Sequence, residues 1–269
     1  MKKITDHVFA KTSFHGCNSG FIVTKEGAVV IDTPMVPSEA REWKQKIEEH
    51  APVKYVIINE AHTDHYCGGC YLGGTVIGTD DSVNALKNAK IETLIRELSW
   101  MAPGTPAPDE TFYFRPPEIA INGDVTLYLH DHTIKILMVP GHTAKQLAVY
   151  VPEEKVLFTS DNINLAIPIF IDALPHEWIT SLNRLSELDV EHVIPGHGEI
   201  TDKSAFKNMK DKINIWMDFV GGAINQGMDL EKIRSKIMVA KEFERIPKEG
   251  PMAGIFNMNL DALYRALSK

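Results

Sequence analysis

The residues best equipped for chemistry lie in one short stretch, Asn59-Glu60-Ala61-His62-Thr63-Asp64-His65. Imidazole and carboxylate are the side chains that bind borderline and hard divalent cations, and Glu60, His62, Asp64 and His65 crowd four of them into this segment. Alternate side chains of an extended chain share one side, so Glu60, His62 and Asp64 are expected to converge while His65 turns toward a neighbouring position. Gly68 and Gly69 would let the following helix approach closely. A histidine standing alone is usually a satisfied structural group; clustering changes that reading. Of the eleven histidines, His62, His65, His142 and His197 stand beside Gly, Pro or acidic residues at the ends of apolar runs. His7, His15, His50, His130, His132, His176 and His192 read as turn or surface groups, with His130 and His132 flanking a hairpin turn and facing solvent.

The elements that must position these residues follow from hydrophobic patterning. Phe21-Ile22-Val23 and Ala28-Val29-Val30-Ile31 read as a hairpin of buried strands, ending on Asp32. Pro37-Ser38-Glu39 starts an amphipathic helix that carries Trp43 and Ile47 and stops before Pro52. The strand from Val53 to Ile58 delivers its last residues into the Glu60 to His65 segment, the strand end at which open α/β architectures hold ligands. Asp80 to Trp100 reads as one helix. Pro103 to Pro117, with prolines at 103, 106, 108, 116 and 117, reads as a loop forming a lid or pocket wall. Val125 to Leu129 and Ile134 to Val139 read as a second hairpin leading into Pro140-Gly141-His142. Leu147 to Val151 and Val156 to Phe158 form a third, ending at Ser160-Asp161. A helix over His176 to Leu188 precedes a short strand that ends in Pro195-Gly196-His197-Gly198. Beyond Thr201 the periodicity is helical, with Ile213, Trp216, Met217 and Val220 on one face, an interruption at Gly221-Gly222, and a final packing helix or dimer contact through Leu260 to Leu267.

The 269 residues lie near the upper size of one hydrophobic core, which points to a metal-binding domain over 1–200 and a helical C-terminal extension over 201–269 packed on it. A net charge of -8 works against phosphate backbones, so no nucleic-acid partner is expected. No apolar run approaches the ~20 residues of a membrane span, and cytoplasm is the expected location. Three cysteines fit a reducing compartment, and Cys67-Gly68-Gly69-Cys70 reads as two packed thiols rather than a redox or metal pair.

Taken in order, Asp32 after an apolar strand, Glu60-x-His62-x-Asp64-His65, Gly141-His142-Thr143, Ser160-Asp161 and Gly196-His197-Gly198 resemble the five motifs of the metallo-β-lactamase superfamily, over residues 4 to about 200. The resemblance implies a four-layer αβ/βα sandwich, an α/β fold. It also implies one metal site from Glu60, His62 and His142, a second from Asp64, His65 and His197, and Asp161 bridging them. Asp32 would orient a ligand imidazole or the loop backbone. The departure is Glu60, where the family's usual pattern has His. An anionic, harder donor makes the site one unit less positive, so of the two divalent ions implied, zinc is expected with manganese or iron as strengthened competitors.

The resemblance further implies a hydrolase in which a metal-bound hydroxide attacks a small ester, lactone, thioester or lactam. Asp64 would bind metal and could also shuttle a proton. The alternatives are an iron-dependent oxidoreductase of the persulfide-dioxygenase type, which uses one metal, and a phosphodiesterase. The partner is a small-molecule substrate, with a homodimer as one assembly open to the chain. Tyr66, Trp100 and Phe170 are candidates for the pocket lining.

Overall fold

The computed structural model describes residues 1–243 and 251–268. Its first half runs β1 (Lys2–Lys3), β2 (Val8–Lys11), β3 (Ser19–Thr24), β4 (Gly27–Ile31), α1 (Pro37–Glu48), β5 (Val53–Ile57), the single helical turns α2 (Thr63–Tyr66) and α3 (Gly69–Leu72), β6 (Thr75–Gly78), α4 (Asp80–Asn88), α5 (Ile91–Met101) and β7 (Ile119–Ala120). The second half continues with β8 (Val125–Leu129), β9 (His132–Met138), β10 (Leu147–Val151), β11 (Val156–Asn164), α6 (Pro175–Ser186), β12 (His192–His197), α7 (Ser204–Asn225), α8 (Leu230–Ile237) and α9 (Pro251–Leu267). β1 to β7 form one sheet in sequence order, antiparallel up to β4 and parallel from there on. The second sheet has the order β12-β11-β10-β9-β8, and its one parallel pair is β11 with β12.

The layers follow from strands buried on both faces. Every residue of β4 is buried. Ala28 and Val30 pack toward Trp43, Ile47, Leu94 and Leu98 of the helices on one side. Val29 and Ile31 pack toward Ile136, Val149 and Phe158 of the other sheet. β10 repeats the arrangement, with Leu147, Val149 and Val151 between the sheets and Ala148 and Tyr150 against the second helical layer. Three apolar interfaces thus separate four layers, the αβ/βα sandwich implied by the sequence. The C-terminal helices extend it: Met209 and Trp216 of α7, Ile237 at the end of α8 and Leu260 of α9 share one core with Trp178 and Leu182 of α6.

Local differences from the sequence reading have identifiable causes. The helix expected over Asp80 to Trp100 is two, because Ala89 and Lys90 are extended and the Asn88 amide bonds back to the Asn84 carbonyl. α7 runs through Gly221 and Gly222 without interruption. Each glycine costs ~1 kcal/mol relative to alanine in a helix, which burial of Ile213, Trp216, Val220 and Ala223 outweighs. β11 continues past Ser160-Asp161 to Asn164, with register shifts against β12 on both sides of Ser160. The Pro-rich segment has no regular structure, as expected, and is pinned by Arg41 to Asp109 and by Arg115 to the carbonyls of Gly73 and Gly74. His132 is buried rather than solvent-facing: its Nε2 lies 3.0 Å from Glu154, which also meets His7 at 2.8 Å. No described helix is long and apolar enough to cross a membrane.

Candidate metal centre

The seven sequence-predicted donors meet at one edge of the sandwich, where β4, β5, β11 and β12 end or bend. β5 ends at Ile57 and presents Glu60 and His62 on extended backbone; β9 leads through Pro140-Gly141 to His142; β11 carries Asp161; and β12 ends on His197. The simple alternation expected for residues 60 to 65 fails at one point. α2 closes through His65 N to the His62 carbonyl and Cys67 N to the Thr63 carbonyl, and this turn carries Asp64 and His65 away from Glu60 and His62. Two converging groups result: Glu60, His62 and His142 in one, Asp64, His65 and His197 in the other.

In the first group Glu60 Oε2 lies 2.7 Å from His62 Nδ1 and 3.4 Å from His142 Nε2, and the two ring nitrogens are 3.1 Å apart. In the second, Asp64 Oδ2 lies 3.2 Å from His197 Nε2 and 3.7 Å from His65 Nε2. Asp161 connects them. Its Oδ2 is 3.8 Å from His142 Nε2 and 3.4 Å from His197 Nε2, while Oδ1 is 3.5 Å from His65 Nε2. Gly196 makes room for this carboxylate, since a Cβ there would meet Asp161 Oδ1 at 1.8 Å.

Three of the four imidazoles are oriented by a partner on the far nitrogen. Nδ1 of His142 donates to the Ile169 carbonyl, and Nε2 of His62 faces Asp172 at 3.3 Å. Nδ1 of His65 lies 3.1 Å from Asp32 Oδ2, and the other oxygen of Asp32 accepts from the Asn59 backbone N–H. Asp32 therefore both orients the His65 ring and ties down the loop. It takes a left-handed conformation at φ 51°, as does Ser160 at φ 45°. Two non-glycine residues in this region beside one site mark strain held for a function.

Two residues absent from the sequence reading, Gln146 and Ser160, complete the support. Glu60 Oε1 accepts from the Ser160 hydroxyl at 2.7 Å, the Gln146 amide at 3.1 Å and the Asp161 backbone N–H at 3.2 Å. One oxygen of Glu60 is thereby satisfied by the protein and the other is left facing His62 and His142. The available signal was a polar residue, Ser160, in the buried β11 and a buried amide shortly after His142-Thr143.

A divalent cation fits this arrangement. His65 Nε2 and Asp161 Oδ1 are buried with no hydrogen-bond partner among the described residues, and Glu60 Oε2 is buried against His62 Nδ1 in a geometry that makes no hydrogen bond. Leaving such atoms unpaired costs ~1–3 kcal/mol each. All three point into the donor groups. Electrostatics agree: burial opposes charge on His62, yet Asp172 and Glu60 raise it to about 10. Burial likewise works against ionised Asp64 and Asp161, but His65 and His197 hold both carboxyls below their ordinary value. Cys17 lies under His65 and Asp32, where burial pushes its thiol up to about 12, and burial also raises Cys67. All three cysteines are free, as packed thiols.

Above the donors opens a cleft of about 470 Å³. Trp100 lines it, as anticipated. Tyr66 instead faces a separate, smaller cavity, Phe170 lies in the core beneath α6, and the walls come from α5, the 164–172 segment and α9 rather than the Pro-rich loop.

Comparison with known proteins agrees with the geometry. The model of the Metallo-beta-lactamase superfamily matches residues 12–197. The chain is 25% identical over 248 residues to the Beta-lactamase-like protein 2 homolog of Caenorhabditis elegans, spanning 91% of this chain and 72% of that protein. Among solved structures, a metallo-beta-lactamase from Pontibacter korlensis superposes with a TM-score of 0.62 at 22% identity, over 79% of this chain and 97% of the other. The stereoselective inverting sec-alkylsulfatase Pisa1 from Pseudomonas sp. superposes with a TM-score of 0.77 at 15% identity, over 98% of this chain and 49% of the sulfatase. At these identities the structural likeness speaks for the fold, and in the second case for a fold that takes in the helical tail.

Proposed function

The chain belongs to the metallo-beta-lactamase superfamily, and from that premise and its paired donor groups we propose a metal-dependent hydrolase acting on a small ester, lactone, thioester or lactam. The observation that carries the reading is the sharing of Asp161 between the two groups, since one carboxylate within 3.8 Å of His142 and 3.4 Å of His197 suits a pair of ions rather than one. Glu60, His62 and His142 would hold one ion, Asp64, His65 and His197 the other, and Asp161 both. Bound there, divalent ions supply Lewis acidity and lower the pKa of water to near neutrality.

The protein's own groups do the positioning. Asp32, Ile169 and Asp172 fix the rings of His65, His142 and His62, so that each turns one nitrogen toward the centre. Asp64 serves as a ligand in preference to a base: with its carboxyl held below the ordinary range by His65 and His197 despite burial, it has little affinity for a proton. The apolar wall of the cleft limits water around the reacting group. Residues 1–200 form the metal-binding domain in this reading, and 201–269 a helical extension that completes the cleft.

Zinc is the principal ion, with manganese and iron favoured by the hard donor Glu60. The names of the compared structures, a beta-lactamase and an alkylsulfatase, fit hydrolysis as the reaction class. An iron-dependent oxidoreductase working with one metal would leave the second group, Asp64 with His197, without a use. The test is to strip the protein with chelator, reload it separately with zinc, manganese and iron, and assay ester, lactone, thioester, lactam and phosphodiester substrates while following oxygen. Hydrolysis that is lost with chelator and restored by metal supports the proposal. Full turnover by the metal-free protein, or oxygen uptake with iron and no hydrolysis, overturns it.

A further inference from the structure

The cleft above the donors is built from two kinds of residue. Its walls are apolar, with Trp100 and Met101 from α5 facing Ile167, Ile171, Ile255 and Met258. Trp100 and Met258 are 50% and 51% exposed, and both stand on this one cleft, facing each other's apolar wall rather than scattered singly over the surface. The charged lining is acidic apart from the histidines: no Lys or Arg lines the cleft among the described residues, and Arg265, outside the lining, acts on Asp172. Of the carboxylates, Asp64 and Asp161 face the donor groups and Asp172 faces His62. Glu97 is left over. It lies on α5 one turn from Met101, and its Oε2 is buried with no hydrogen-bond partner among the described residues.

A buried carboxylate oxygen without a partner is costly, and a cation seated against Glu97 in the cleft would offset that cost. An anionic substrate would need a cation in the walls, the role that Arg or Lys plays in recognising carboxylate, sulfate or phosphate. Here it would meet Glu97 instead, beside a centre whose positive charge Glu60 already reduces. We propose that the cleft selects lipophilic substrates carrying a cationic amine, with Glu97 as the group that reads the charge and Trp100, Ile255 and Met258 seating the apolar body. Glu97 is a specificity residue in this scheme and takes no part in bond breaking. The assignment rests on the hydrolase reading for its kinetic consequence, and on the cleft alone for binding.

The experiment uses the metal-loaded protein and three isosteric aryl ester series of equal chain length, ending in ammonium, methyl or carboxylate, with the matching non-hydrolysed amides as binding probes. Amide binding is read from tryptophan fluorescence, with Trp100→Phe identifying the responding ring. The ammonium ester should exceed the carboxylate ester in kcat/KM, and the ammonium amide should bind more tightly than the carboxylate amide, by roughly 10- to 100-fold, the worth of one hydrogen bond to a charged group. Glu97→Gln should shrink both ratios and Glu97→Lys should invert them, with unchanged melting temperatures showing that the fold is intact. Ratios near one in the wild type, or ratios that Glu97→Gln leaves alone, overturn the assignment. Ordered amide binding with no ester, lactone, thioester or lactam hydrolysed would overturn the hydrolase reading while supporting this one, and hydrolysis without charge preference would do the reverse.

Discussion

Ser160→Ala tests whether the niche around Glu60 sets the metal affinity of the first group. The Ser160 hydroxyl is buried, donates to Glu60 Oε1 at 2.7 Å, and stands 3.1 Å from His65 Nδ1 and 3.3 Å from Asp32 Oδ2. Removing it takes one of three donors from the Glu60 oxygen and frees the carboxylate to rotate, leaving Gln146 and the Asp161 N–H in place. A hydrogen bond to a charged group contributes ~1.5–3 kcal/mol, so the ion held by Glu60, His62 and His142 should bind roughly 10- to 100-fold more weakly. Competition with a chromophoric chelator resolves the two ions. The weaker dissociation constant should move by this factor while the other moves by less. Ser160→Gly is the control: it removes the same hydroxyl but relieves the left-handed backbone at φ 45°, a strain of about 1 kcal/mol. Both variants should lose the same metal affinity, with the metal-free glycine variant no less stable than the alanine one. Two dissociation constants within about twofold of wild type in Ser160→Ala, or a loss in alanine that glycine does not share, would refute the reasoning.

Further outcomes follow from the same centre. Glu60→His exchanges an anionic hard donor for a neutral one, so the ratio of zinc to manganese affinity should rise roughly tenfold or more; parallel titrations with the two ions measure it, and an unchanged ratio counts against the assignment. Metal loading should release protons. His62 is raised to about 10 and His197 well above its ordinary value, so both are charged at pH 7.5 and must lose a proton to bind a cation; apparent affinity should therefore rise with pH and fall as pH drops. Calorimetry in buffers of different ionisation enthalpy reads that release directly, and a heat independent of buffer would contradict it. Gly196→Ala places a Cβ 1.8 Å from Asp161 Oδ1, so the shared carboxylate must move. Metal analysis should then find both groups depleted, and a variant that keeps two tightly held ions would remove Asp161 from the bridging position.

What could be read from the sequence is what depends on residue type at the end of an apolar run. Asp32, Glu60, His142, Asp161 and His197 each follow such a run, and the runs themselves are buried on both faces, so the convergence of these side chains and the sheet architecture were both legible. What depends on distant partners was not. His132 was assigned to solvent because Glu154, the group that pairs with it in the interior, lies 22 residues on, in the turn between β10 and β11. Alternation put Asp64 with Glu60 and His62, where the resemblance put it with His65 and His197 as found; alternation fails there because one helical turn interrupts the extended trajectory. Gln146 and Ser160 were missed because their meaning lies in Glu60, which is 86 and 100 residues away respectively. That last omission bears most on function. Read alone, Glu60 is a departure from a pattern of histidines, and a departure suggests decay. In the fold, three donors converge on one of its oxygens, and an imidazole at 60 would offer at most one lone pair to them. The carboxylate and its niche are one feature, so Glu60 is a donor the surrounding structure is built to hold, and the extra negative charge it brings to the cluster is a property of this protein rather than a defect in it.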